Sequence, residues 1–129
     1  MRKIILITAI AFLGLHVANA QYSAPSDEET HVINAAESSP DDVSANYNAA
    51  IHYYNAGVEN LGDGDLIGKD LHSPEYEEVG RLFIQALPYA ERAYHLDPEN
   101  REVVNLLMGI YFGLNDMPRY DELKRRLEE

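Results

Sequence analysis

The sequence predicts an all-α chain built of tandem antiparallel helix hairpins, about four helices in number. Three observations carry this. Ser or Asp followed by Pro recurs as a helix-start signal, apolar residues recur at three- and four-residue spacings, and no stretch alternates with period two. Proline in the first helical turn loses no needed donor, and a preceding Ser or Asp can accept from the free N–H groups.

The elements follow in chain order. Residues 1–20 place Arg2 and Lys3 before an apolar run at 4–15 and end in Ala18-Asn19-Ala20, the pattern of a cleavable signal peptide. That run is too short for a membrane helix, which needs about 20 apolar residues to cross ~30 Å of hydrocarbon. Residues 21–38 are polar and are expected to form a flexible leader, although Ser26 with Glu29 hints at one short helix. The helical domain is expected over 39–129.

Ser39-Pro40-Asp41-Asp42 predicts the first helix start, with Ser39 as the capping residue. Val43, Tyr47, Ala50, Tyr54, Gly57 and Leu61 then keep helical spacing up to Gly62. Ser73-Pro74-Glu75 opens the second helix, whose apolar residues stay in phase across Pro88, so a kink rather than a break is expected there. Asp97-Pro98-Glu99 opens the third, and Asp116-Met117-Pro118 the fourth. The fourth carries a thin apolar stripe and a charged outer face, which suits a cap on the end of the domain.

Composition narrows the function classes. The 129 residues carry 22 Asp and Glu against 10 Lys and Arg, a net charge of −12, and no Cys. A nucleic-acid footprint is therefore missing, and thiolate catalysis, disulfides and Cys-ligated metals are excluded. Residues 21–78 hold thirteen acids and one base, Lys69, whereas 79–129 hold nine acids and seven bases. Asp63-Gly64-Asp65 with Gly68 begins like a calcium loop, but Ile67 and Pro74 stand where ligands five and twelve belong. His31, His52, His72 and His95 have no helical ligand spacing, so no metal and no cofactor are expected. No phosphate loop or nucleophile elbow occurs either, and no catalytic residue is assigned.

The Ser39-Pro40 start precedes Tyr53-Tyr54 and the Asp97-Pro98 start precedes Tyr111-Phe112, both at an offset of 58 residues, which points to an internal repeat. The stretch from Ala86 through Ala90 and Ala93 to Asp97-Pro98, followed by Leu107, Tyr111 and Leu114-Asn115-Asp116, resembles the tetratricopeptide repeat family. It departs from that family at Ala90 and Met108, and its first pair is far longer than the ~34-residue period.

The resemblance implies a right-handed α-solenoid fragment and a non-catalytic role in binding a protein or peptide. Its groove would be lined by Tyr47, Tyr54 and Asn55 on the first helix, then Asn105 and Phe112 on the third. One ring of each aromatic pair is expected inside and the other on the groove. The first helix has no Lys or Arg, so a clamp for a terminal carboxylate is rejected in favour of a neutral or basic partner. Self-association into a homodimer is the alternative. With the signal removed, the expected place is the periplasm or the extracellular space.

Overall fold

A computed structural model describes residues 24–62 and 73–129. It is all-α. Five helices follow one another: α1 Asp27–Ser38, α2 Val43–Leu61, α3 Glu77–Leu96, α4 Arg101–Gly113 and α5 Met117–Glu128, with a 3-10 turn at Pro74–Tyr76 leading into α3. Among the described residues there is no strand. Each helix packs chiefly on its neighbours in the chain, and the α2–α3 pair is the most extensive. The expected signal segment, residues 1–20, and the aspartate-rich stretch 63–70 lie outside the described residues.

The leader expectation is corrected. Residues 27–38 form α1, where the Ser26 hydroxyl accepts from Glu29 N at 3.0 Å and three acids occupy the positive end of the helix. Only Ile33 and Ala36 reach the core from α1, and Ala36 is fully buried. So thin an apolar stripe reads as polar coil until a neighbouring helix is there to receive it. The packed domain therefore begins before residue 39, and its helices number five rather than four.

Two cap assignments are also corrected. Ser39 closes α1, its N–H bonding Ala35 O at 3.0 Å, and it is the Asp42 carboxylate that caps α2 by accepting from Ala45 N at 3.0 Å. Likewise Asp97 closes α3 through Ala93 O, while Asn100 caps α4 by accepting from Glu102 N and Val103 N. In each case Ser/Asp-Pro makes the turn, and the residue two after the proline starts the next helix. Asp116 does cap α5 as expected, through Arg119 N at 3.4 Å.

Small residues bring α2 and α3 close together. Ala49 and Ala50 on α2, with Ala86, Ala90 and Ala93 on α3, are fully buried. α3 runs unbroken through Pro88, which is exposed, as is Ile84 four residues earlier, whose carbonyl the proline cannot bond. At the other end of the pair, Phe83 is fully buried on α3 between two glycines. A Cβ on Gly57 of α2 would lie 2.6 Å from its ring, and one on Gly113 of α4 would lie closer still.

Inside the α1–α2 turn sits the one buried polar side chain of the described core, Asn46. Its amide nitrogen donates to Pro40 O at 3.0 Å and Asp42 O at 2.7 Å, and its oxygen accepts from Arg92 of α3 at 3.2 Å. Every hydrogen-bonding site that burial would otherwise penalise is occupied.

Replacing Asp42 by Ala is expected to cost about 1 kcal/mol of unfolding free energy in urea titrations, whereas Ser39→Ala stays within about 0.5 kcal/mol. Equal effects would contradict the assigned cap. Gly113→Ala is expected to cost about 1–3 kcal/mol by overpacking against Phe83, and pairing it with Phe83→Leu should return part of that loss in a double-mutant cycle.

Candidate functional site

Helical phase decides which ring of each aromatic pair enters the core. Tyr53 of α2 and Tyr111 of α4 are buried, at 8% and 7% exposure, while Tyr54 and Phe112 remain half-buried on the neighbouring face. The inward tyrosines keep their hydroxyls satisfied by a carboxylate from the preceding helix. Tyr53 donates to Glu29 at 3.1 Å and Tyr111 donates to Glu91 at 2.9 Å. Tyr89 of α3 repeats the device, donating to Glu37 of α1 at 3.0 Å and lying against the Tyr53 ring at 6.4 Å between centroids.

These three phenols titrate high. Burial first, and then the bonded carboxylate, push Tyr89 up to about 12 and raise Tyr53 and Tyr111 well above the ordinary tyrosine value.

The outward face is built differently. Tyr54 stacks on Phe83 with centroids 5.2 Å apart and planes at 16°, and its hydroxyl lies across α4 at Gly109, where an added Cβ would meet it at 2.9 Å. Burial raises its pKa, and no carboxylate contributes. Tyr54 thus joins α2 to α4 and forms the floor of the face rather than a free wall. Tyr47, two turns earlier, is half-buried against the core, and Asn55 is exposed. On α4, Asn105 is exposed one turn before Gly109, and Phe112 follows three residues after it, tilted at 55° against Tyr120 of α5.

The structure therefore brings Tyr54 onto the α4 stripe that holds Asn105 and Phe112, with Tyr47 and Asn55 along the α2 side. It also adds three residues that the sequence reading omitted. Ile51 and Val58 complete a 47-51-54-58 stripe on α2, with Val58 39% exposed, and Met108 is half-buried on α4. That spacing was visible in the sequence, but the Gly57 and Leu61 positions drew the predicted apolar face toward the core.

The remaining surface offers less chemistry. An open depression of about 580 Å³ lies over the α1–α2 turn, lined by residues 38–44, a single stretch of chain with no converging side chains from another element. Among the described residues no three His, Asp or Glu side chains are grouped to hold a metal ion. No helix among them is long and apolar enough to cross a membrane. The chain matches no protein-family model, no curated protein and no solved structure.

The raised tyrosines give a signed pH dependence. Unfolded tyrosine titrates near its ordinary 10.0 and the folded groups titrate higher, so this stabilisation is complete below pH 10 and is lost as pH climbs through the folded values. The urea midpoint is expected to fall between about pH 10 and about pH 12, and Tyr89→Phe should flatten that alkaline decline.

Proposed function

We propose that this chain is an exported, non-catalytic helical-repeat module, similar to the tetratricopeptide repeats, that binds a protein or peptide on the α2–α4 face. One observation supports this above the others. Half-buried apolar side chains at 47, 51 and 54, continued by exposed Val58, run beside Asn55 and Asn105, two exposed amides with no side-chain partner among the described residues. Such a face offers contact area from aromatic rings at small entropic cost, and amides that match the donors and acceptors of a polypeptide backbone.

Assembly rather than catalysis also fits the tyrosine chemistry. The carboxylates of Glu29, Glu37 and Glu91 are committed to tyrosine hydroxyls on other helices, tying α1 to α2, α1 to α3 and α3 to α4. They are structural ties. Self-association is the second reading, favoured by Ile84, which is 59% exposed on the outer side of α3. A single exposed apolar side chain is common on monomers, so the first reading is preferred.

A photo-crosslinking residue placed at Asn55 or Asn105 in the exported protein is expected to give a discrete adduct with another polypeptide, whereas the same residue at Asp121 on α5 gives none. Adducts at all three positions alike, or only with a second copy of the chain, would overturn the proposed face.

A further inference from the structure

The three described arginines that lie over tyrosine rings all belong to the second half of the chain. Arg92 sits over Tyr89 at 5.6 Å, Arg119 over Tyr111 at 5.8 Å and Arg126 over Tyr94 at 6.0 Å. The hydroxyls of Tyr89 and Tyr111 are also bonded to carboxylates, and that of Tyr94 to Arg126. Where a cation meets a tyrosine in this molecule, the ring is already taken.

The α1–α2 hairpin has no such cation. Residues 24–62 contain seven Asp and Glu and no Lys or Arg, and Tyr47 of the same hairpin is half-buried on the 47-51-54-58 stripe. Among the described residues no arginine covers its ring and its hydroxyl has no bond. The Tyr54 hydroxyl, further along the stripe, is likewise without a bond there. The α3 cations that reach this hairpin are engaged, Arg92 with Asn46 and Arg81 with Glu78 and Gln85. A half-exposed tyrosine with no described cation over its ring, in a hairpin whose own charges are all negative, therefore attracts a positively charged ligand by both field and quadrupole.

We propose that the α2 side of this face takes a lysine- or arginine-bearing segment of a separate polypeptide. A guanidinium or ammonium stacks on Tyr47, and the segment's apolar side chains lie against Ile51 and Val58. This rests on the binding role proposed above and names the chemistry of its partner. A second copy is the poorer occupant, since each chain carries a net charge of −12 and the two hairpins would repel. An uncharged segment would make the same apolar contacts but would leave the acidic field unanswered.

The test is a phage library of random dodecapeptides panned against the full chain at about 50 mM salt, with the selected peptides then titrated at about 50 and about 500 mM. The selected pool should be enriched in Lys or Arg and in large apolar residues, and its affinity should fall at least about tenfold at the higher salt. Tyr47→Ala is expected to weaken the selected peptides about tenfold, whereas Tyr47→Phe, which keeps the ring, retains most of the affinity. Val58→Lys, at an exposed position where folding is not at risk, should weaken basic peptides and favour acidic ones.

A selected pool without cationic enrichment overturns this proposal while leaving peptide binding in place. No selected pool at all overturns both readings. Basic peptides that ignore both Tyr47→Ala and Val58→Lys place the site elsewhere and overturn it as well. A chain whose light scattering shows a dimer that Val58→Lys dissociates assigns the face to a second copy instead.

Discussion

The placement of Phe83 between the backbones of α2 and α4 governs the rest of the molecule. A ring of that size, fully buried, fits only because Gly57 and Gly113 present no Cβ on either side of it. Packed interiors have little free volume, so the ring fixes how far α2 and α4 stand apart at that level. The same ring carries Tyr54 on its face at 5.2 Å, and Tyr54 in turn lies on Gly109. The floor of the outward face is thus an extension of the core, and its shape is set by three glycines and two rings.

At the opposite end of the hairpin the spacing is set by alanines and held in register by polar ties. Ala49 and Ala50 face a helix whose buried positions include Ala86, Ala90 and Ala93, so the backbones approach closely and dispersion contacts are dense. Apolar packing of small side chains has little directionality. The bonds from Asn46 to the turn and to Arg92, and from Tyr53, Tyr89 and Tyr111 to Glu29, Glu37 and Glu91, supply it. Each such bond adds only about 1 kcal/mol net. Their larger effect is against alternatives: a shift of one helix along another would strand a buried amide or phenol without a partner.

The helical class and the inner helices were legible because long amphipathic runs follow turn signals that few other arrangements tolerate. The exact starts were not. Ser39 and Asp97 are good capping residues in isolation, but Pro40 and Pro98 fix a turn that spends them on the end of the preceding helix and moves the cap to Asp42 and Asn100. α1 showed in the sequence only as the Ser26–Glu29 hint, because its stability comes from docking rather than from its own apolar content. On the candidate face, Tyr47, Asn55, Asn105 and Phe112 were nominated through the family resemblance, whereas the role of Tyr54 as a floor depends on Phe83 and Gly109, two residues on other helices. Asn46 gave no signal, since a buried and an exposed asparagine look alike until the turn carbonyls are in place.

The offset of 58 residues survives in the backbone more fully than in the side chains. Asp42 N to Ser39 O and Asn100 N to Asp97 O are the same bond in two copies, at 3.0 and 3.1 Å, and so are those from Ser39 N and Asp97 N to Ala35 and Ala93, both 3.0 Å. Yet at that offset Asn46 becomes Val104, Tyr47 becomes Asn105 and Ile51 becomes Gly109. A duplicated frame therefore presents two unlike halves. The α2 half offers Tyr47, Ile51 and Val58 on a hairpin without Lys or Arg, and the α4 half offers Asn105, Gly109 and Phe112. A symmetric ligand would gain from only one of them. A polypeptide with a defined direction and different side chains at its two ends, the ligand proposed above, would meet both.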